Sequence, residues 1–205
     1  GSTDGTLEFS RSLPARVETL APGDFQHGRT RNLAMSRASG EFGVFLTQDA
    51  LPVDDQWLLR LVTACEAAPD RAGAFGRHHP YPGTNPFLTR DLIGFFDHLA
   101  RTPAERRVND ADRYARDPAY RQSLHFFSDC NSCLRRSVWR DHPFPEVDFA
   151  EDQAWADRVL RAGYATVYAD SAAVFHGHDF GVGDTYRLSA AESAAYRALF
   201  GYALC

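Results

Sequence analysis

The stretch FGVFLTQDALP, Phe42 to Pro52, decides how the chain is read. Its apolar run, Phe42 to Leu46, has the character of a buried strand. The run stops at Thr47-Gln48-Asp49-Ala50, and Pro52 closes the turn. The strand therefore delivers a carboxylate, Asp49, to its own C-terminal tip. In open α/β sheets, ligands bind in the crevice outside the carboxyl ends of the strands. Asp is equally at home capping a turn, and on this stretch alone the turn is the simpler reading.

The flanking sequence supplies the rest of the sheet. Upstream, Thr30 can cap a helix through Ala38, with Leu33, Ala34 and Arg37 in helical spacing and Gly40 as the stop. Leu7 to Leu13 reads as a short helix and Ala15 to Leu20 as a short strand. Downstream, Asp54 or Asp55 caps a second helix, on which Trp57, Leu58, Leu61, Val62 and Cys65 form an amphipathic stripe. Pro69 ends it, and Ala72 to Arg77 is another strand. This β-α-β alternation predicts an α/β fold with a mixed, mostly parallel sheet flanked by helices. From His78 to Arg121 the sequence is polar and proline-punctuated, with one apolar patch at Leu92 to Leu99, as in a binding loop or lid. Order returns at Leu124 to Phe127 and Ser132 to Arg136. A helix follows over Glu151 to Arg161, with Gly163 at its end. Thr166 to Ala169 and Ala173 to Phe175 are short strands, the second leading into His176-Gly177-His178. Residues 188–205 form an alanine-rich helical tail. The whole, residues 1–205, is expected to be a single domain.

Composition removes several function classes. The 205 residues carry a net charge of −5 with a pI near 5.9, which argues against a nucleic-acid-binding surface. No apolar run approaches the ~20 residues that span a bilayer, and no signal peptide opens the chain. A cytoplasmic protein is the expectation. Cys130-Asn131-Ser132-Cys133 has C-x-x-C spacing, but Cys65 and Cys205 are isolated, so a four-ligand zinc site lacks its second pair. Reduced, partly buried thiols are expected.

Three acidic or metal-competent clusters recur at element ends: Asp49, Glu151-Asp152, and His176 with His178. Residues i and i+2 of a strand point to one side, so both histidines could face one ion. Imidazole plus carboxylate suits a divalent metal with open positions. Glu151 and Asp152 could equally serve only the positive end of their helix.

The order of these motifs is more specific than any one of them. Ser2-Thr3-Asp4-Gly5-Thr6, Gly28-Arg29-Thr30-Arg31-Asn32, Thr47-Gln48-Asp49-Ala50, Glu151-Asp152-Gln153 and His176-Gly177-His178 follow one another as in family 2 glycosyltransferases of the GT-A fold. With Asn131-Ser132 ahead of Arg135-Arg136, the chain most resembles the rhamnosyltransferase-like members. The resemblance runs from Ser2 to about Phe180. It implies that Asp49 stands at the last position of an Asp-x-Asp motif whose first Asp is here Thr47. Asp49 would then help to hold Mg²⁺ or Mn²⁺ on the donor diphosphate, with His176 and His178 as further ligands. The same resemblance makes Asp152 the base that deprotonates the acceptor and Glu151 its orienting neighbour. Asp4, Arg31, Asn32, Gln48 and Asp49 would contact the donor, and Asn131 and Ser132 the acceptor. A solvated helix face is the alternative for Arg31.

The implied activity is inverting transfer of a sugar, L-rhamnose as the best match, from a nucleotide-sugar donor such as dTDP-rhamnose. The acceptor would be a bacterial surface glycan, free or lipid-linked, which would bring the protein to the inner face of the membrane without spanning it. Members of the family open with a strand, a helix and a second strand ahead of the Ser-Thr-Asp-Gly-Thr turn, so the expected domain lacks its first strands. The segment 78–121 falls on the acceptor side. Two rival readings stand beside this one: a metal-dependent hydrolase that uses water as its acceptor, and a non-catalytic carbohydrate-binding domain on the same fold.

Overall fold

Residues 2–21, 23–177 and 180–203 are described by the structure, a computed structural model. In chain order the elements begin with helices α1 (Thr6–Ser12) and α2 (His27–Arg37), strands β1 (Phe42–Leu46) and β2 (Leu51–Pro52), and helix α3 (Trp57–Glu66). Strand β3 (Arg71–His79), helix α4 (Pro86–Ala100), strand β4 (Glu105–Arg106) and helices α5 (Ala111–Arg116) and α6 (Pro118–His125) follow. The last are strand β5 (Asn131–Arg135), helices α7 (Arg136–Asp141) and α8 (Glu151–Arg161), strand β6 (Ala165–Phe175) and helix α9 (Val182–Phe200).

The sheet order is β1-β5-β3-β6-β2, with β4 also on β6. The strands β1 and β3 run the same way, as a β-α-β unit requires, but they are not neighbours. Strand β5 lies antiparallel between them, with Leu134 flanked by Gly43 and Gly73, and Ser132 by Phe45 and Phe75. Among the described residues the parallel pairing is β3 with β6; the remaining pairs are antiparallel, so the sheet is mixed with fewer parallel contacts than the alternation implied. Local alternation gives strand direction, and it is blind to a strand inserted from far along the chain.

Each row of this register fills one face. Val44, Cys133 and Ala74 turn toward α3, where Leu61 and Cys65 close a core. The adjacent rows put Phe75 and Leu134 on the other face, against Met35, Phe127 and Trp155. A side chain at Gly43 would collide with the Met35 thioether, so the small residue makes room for the helix α2 side chain beneath it. At Gly76 an added Cβ would collide with the Ala172 carbonyl and the Asn131 amide, at a register shift between β3 and β6.

Several elements differ from expectation for local reasons. The segment 78–121 is largely helical. Pro86 and Pro118, which looked like interruptions, occupy the first turns of α4 and α6, where a missing N–H costs nothing. Asn85 and Asp117 cap those helices through the N–H groups of Phe87 and Tyr120. Helix α2 starts before Thr30, capped by Gln26, whose amide oxygen accepts from Arg29 N–H at 2.6 Å. Neither Asp54 nor Asp55 is the cap of α3; Gln56 stands there, and Asp54 accepts from its N–H at 2.9 Å. Residues 15–20 form no strand, and the two strands expected over 166–175 are one continuous β6. Among the described residues Cys65, Cys130 and Cys133 are free thiols, Cys65 and Cys133 buried in one core cluster, and Cys205 lies outside the described residues. Among the described residues, no helix is long and apolar enough to cross a membrane.

Candidate active site

A cleft of about 480 Å³ opens where the tip of β1, the loop before β5, the start of α8 and the residue after β6 converge. Thr47, Gln48, Asp49, Cys130, Glu151, Asp152 and His176 line it, so Asp49, the Glu151-Asp152 pair and His176, all separated in sequence, share one cavity.

The tip of β1 is a tight turn closed by Ala50 N–H donating to the Thr47 carbonyl at 3.0 Å. Both readings of Asp49 hold together: it belongs to a turn, and the turn faces the cleft. Tyr81 O–H donates to the Asp49 carbonyl at 3.2 Å and steadies the tip. His176 Nε2 lies 3.7 Å from Asp49 Oδ1. Behind it, His78 is buried against Phe96 and meets the His176 ring edge-on at a centroid distance of 4.9 Å. Burial, and then the neighbouring His176, depress the His78 pKa to about 3, so this prop is neutral at physiological pH.

Asp49 and His176 offer a carboxylate oxygen and an imidazole nitrogen on one side of the cleft, a donor pair that fits a divalent cation whose other positions come from a substrate. His178, the third expected ligand, lies outside the described residues. Among the described residues no group of three His, Cys, Asp or Glu side chains is arranged to hold a metal ion by itself.

The acidic half of the site is built on α8. Ala150, the residue before the helix, is left-handed (φ 56°, ψ 34°), the one non-glycine residue with positive φ among those described. Backbone conformations of this kind cost energy and concentrate at functional sites. The turn points Glu151 and Asp152 into the first turn of the helix, whose N-terminal dipole favours their charge. Glu151 pairs with Arg31 Nη1, and Arg31 Nε lies 3.3 Å from Asp129 Oδ2. The Asp129 carboxylate is fully enclosed and accepts from Ser132 Oγ at 2.7 Å.

One guanidinium thus stands among three carboxylates. Burial works against the Arg31 charge, but Asp129, Glu151 and Asp152 outweigh it and hold the group firmly protonated. Among the described residues, Asp152 is the one of the three carboxylates that forms no ion pair, and its oxygens accept from backbone N–H groups, Asp129 at 3.2 Å and Gln153 at 2.8 Å. Burial first, and then the charges of Asp129 and Glu151, raise its pKa to about 8. A carboxyl poised near neutral pH in a cleft is suited to moving a proton.

Several expected site residues lie elsewhere. Asn32 is occupied by the scaffold: its amide donates to the Phe144 carbonyl at 2.9 Å and its oxygen accepts from Trp139 Nε1 and Phe144 N–H. Asn131 is fully buried, accepting from Trp57 Nε1 at 2.7 Å and donating to the Ala172 carbonyl at 2.8 Å. Ser132 is also fully buried and orients Asp129. These three brace the site and do not face it. Asp4 is outside the cleft lining, its carboxylate turned onto Thr6 Oγ1 at 2.6 Å. Arg31, expected on the donor phosphates, does line the cleft, but it is paired there with Asp129 and Glu151 of the acidic cluster. Sequence reasoning missed Asp129, which is adjacent to the noticed C-x-x-C pair, and Glu192, which lines the cleft from α9.

A mixed sheet with an antiparallel strand between two parallel ones, its cleft beside the strand tips, defines a GT-A class of fold. Solved structures agree: residues 1–349 of S. aureus TarS superpose with a TM-score of 0.59 at 18% identity, covering 98% of this chain and 55% of that one. The mannosyltransferase PcManGT from Pyrobaculum calidifontis, in complex with GDP-Man and Mn²⁺, gives 0.62 at 19% identity, covering 99% and 54%. The model of glycosyl transferase family 2 matches residues 1–142, and the chain belongs to that family. It is 30% identical over 182 residues to the O-antigen chain rhamnosyltransferase WbaN of Salmonella anatum, covering 87% of this chain and 55% of that protein. With the O-antigen chain rhamnosyltransferase RfbN of Salmonella typhimurium it shares 29% over 184 residues, 88% of this chain and 55% of that one. The chain spans about half the length of these curated relatives.

Proposed function

We propose that the cleft transfers a sugar, L-rhamnose, from a dTDP-linked donor to a hydroxyl of a bacterial surface glycan, with inversion at the anomeric carbon. The observation that carries this reading is Asp152: a partly buried carboxyl with no ion-pair partner among the described residues, in the same cavity as the strand-tip carboxylate Asp49. The rhamnosyl part rests on the two relatives named above.

In this scheme Asp152, once ionised, accepts the proton of the acceptor hydroxyl as its oxygen attacks the anomeric carbon. The bond from that carbon to the donor's diphosphate oxygen breaks, and the nucleoside diphosphate leaves with the electron pair. Glu151, Asp129 and Arg31 fix the position and charge of the base. Gln48 and Asp49 face the donor side. Asp49 and His176 would hold Mg²⁺ or Mn²⁺ together with diphosphate oxygens. A bound cation of this type supplies charge stabilisation to the leaving group. The segment 78–121, helical as it is, contributes Tyr81 to the Asp49 tip and is read as the acceptor side. A lipid-linked acceptor would bring the protein to the inner face of the membrane.

A donor screen with a protein that includes the rest of the relatives' length tests this. dTDP-rhamnose should be consumed only with a glycan acceptor present, and chelation by EDTA should abolish turnover. Equal consumption without any acceptor would replace transfer by hydrolysis. Undiminished turnover in EDTA would remove the cation.

A further inference from the structure

Away from the cleft, a second cavity of about 550 Å³ opens between α4, α6 and the residues that follow α9. It shares no lining residue with the first. Phe95, Leu99, Phe126 and Tyr202 give it apolar walls, and Arg106 reaches it from β4. The Arg106 side chain belongs to the interior, with only 3% of the residue exposed. Its Nη2 is buried without a hydrogen-bond partner among the described residues. Burial pushes its pKa down, and the nearby Tyr168 hydroxyl, itself neutral at physiological pH, offsets this only in part. Asp117 also lines the cavity, but its carboxylate is taken by Tyr120 N–H at 3.0 Å and by Arg113 Nε at 3.1 Å.

A buried guanidinium without a counter-charge is costly, and folds do not keep one unless something compensates it. Arg106 pairs across the sheet with Thr166, whose hydroxyl is likewise buried without a hydrogen bond. Thr166 lies near the start of β6, whereas His176 follows its end, so the cavity and the catalytic cleft occupy opposite ends of the strand. Thr102, Gln122 and Ser123 also line the cavity, with their side chains hydrogen-bonded to Leu99, to Tyr196 and Tyr202, and to Tyr120. Cavities of this size with mainly apolar walls and a few fixed polar groups are typical of small-ligand sites.

We propose that this cavity is a binding site for a small amphipathic anion, an apolar chain or ring ending in a phosphate or carboxylate, with the head group on Arg106. The walls disfavour a free sugar or nucleotide, which would leave many polar groups unpaired against Phe95, Leu99 and Phe126. A guanidinium, by contrast, receives a carboxylate or phosphate through two parallel N–H donors. The inference does not depend on the transfer reaction proposed above.

Isothermal titration calorimetry with octyl phosphate, octanoate, 1-octanol and inorganic phosphate, all below micelle-forming concentrations, tests it. Octyl phosphate and octanoate should bind once per chain, and 1-octanol and inorganic phosphate at least about tenfold more weakly. Arg106→Met should reduce octyl phosphate binding to the level of 1-octanol. It removes an unpaired buried charge, so its melting temperature should not fall. A second variant, Ala119→Trp, fills the cavity from α6 and should block all of the probes. The proposal is overturned if no probe binds, if 1-octanol or inorganic phosphate matches octyl phosphate, or if either variant binds octyl phosphate like the parent protein.

Discussion

As the proposed base, Asp152 would have to leave the protonated state that its surroundings favour. Its raised pKa means the resting site carries a proton there at pH 7, and turnover at limiting substrate should rise with pH through a midpoint near 8. Asp129→Asn removes a neighbouring negative charge while keeping the Asp129 backbone N–H that Asp152 accepts. That midpoint should therefore move to lower pH in a pH–rate profile. Stability carries the same signature with a definite sign. An acid whose folded pKa lies above its unfolded value binds more protons when folded, so its contribution to stability is lost as pH rises through the folded pKa. Asp152→Asn should consequently melt higher than the parent protein at pH 8 to 9, with the gap closing toward pH 4. If the residue only capped α8, the substitution would lower the melting temperature by an amount worth about 1 kcal/mol.

At the scale of elements, Asn131 shows how a scaffold residue can pass for a binding one. Its amide ties together Trp57 on α3, Ala172 on β6 and, more loosely, Arg77 on β3. Asn131→Ala should cost about 2–3 kcal/mol in chemical denaturation, because buried partners are left unsatisfied, and should leave the acceptor KM of the folded fraction unchanged. A raised acceptor KM would return Asn131 to the binding surface. The pattern that led to the fold was legible: the β1 tip, the α3 stripe and the α8 start are local signals, and each stands within a few residues of its expected place. The insertion of β5 between β1 and β3 was not legible, because pairing across such a separation leaves no local trace. Motif order singled out Asp49, Asp152 and His176, and the three line one cleft. It could not say which neighbours face that cleft, since Asn32, Asn131 and Ser132 carry the same donors and acceptors whether they grip a ligand or a helix. Pro86 and Pro118 misled for a related reason: proline breaks a helix interior but begins one equally well.

At the scale of the whole molecule, the sheet fixes the strand tips, and the largely helical segment 78–121 reaches them through the Tyr81 hydrogen bond to the Asp49 carbonyl. Exchanging 78–121 for the corresponding segment of a relative should change acceptor preference and leave donor choice intact, as judged by competition assays with mixed donors and mixed acceptors. A changed donor preference would assign the segment to the other side of the cleft. The proposed transfer depends on a proton moving from an acceptor hydroxyl to one carboxylate. The direct measurement is acceptor-dependent release of dTDP from dTDP-rhamnose by the parent protein and by Asp152→Asn, at equal folded concentration and near pH 8. Base catalysis contributes roughly 10²- to 10⁴-fold, so release should fall by about that factor while donor affinity stays within about twofold. Release at close to the parent rate would contradict the assignment and remove Asp152 from the chemistry.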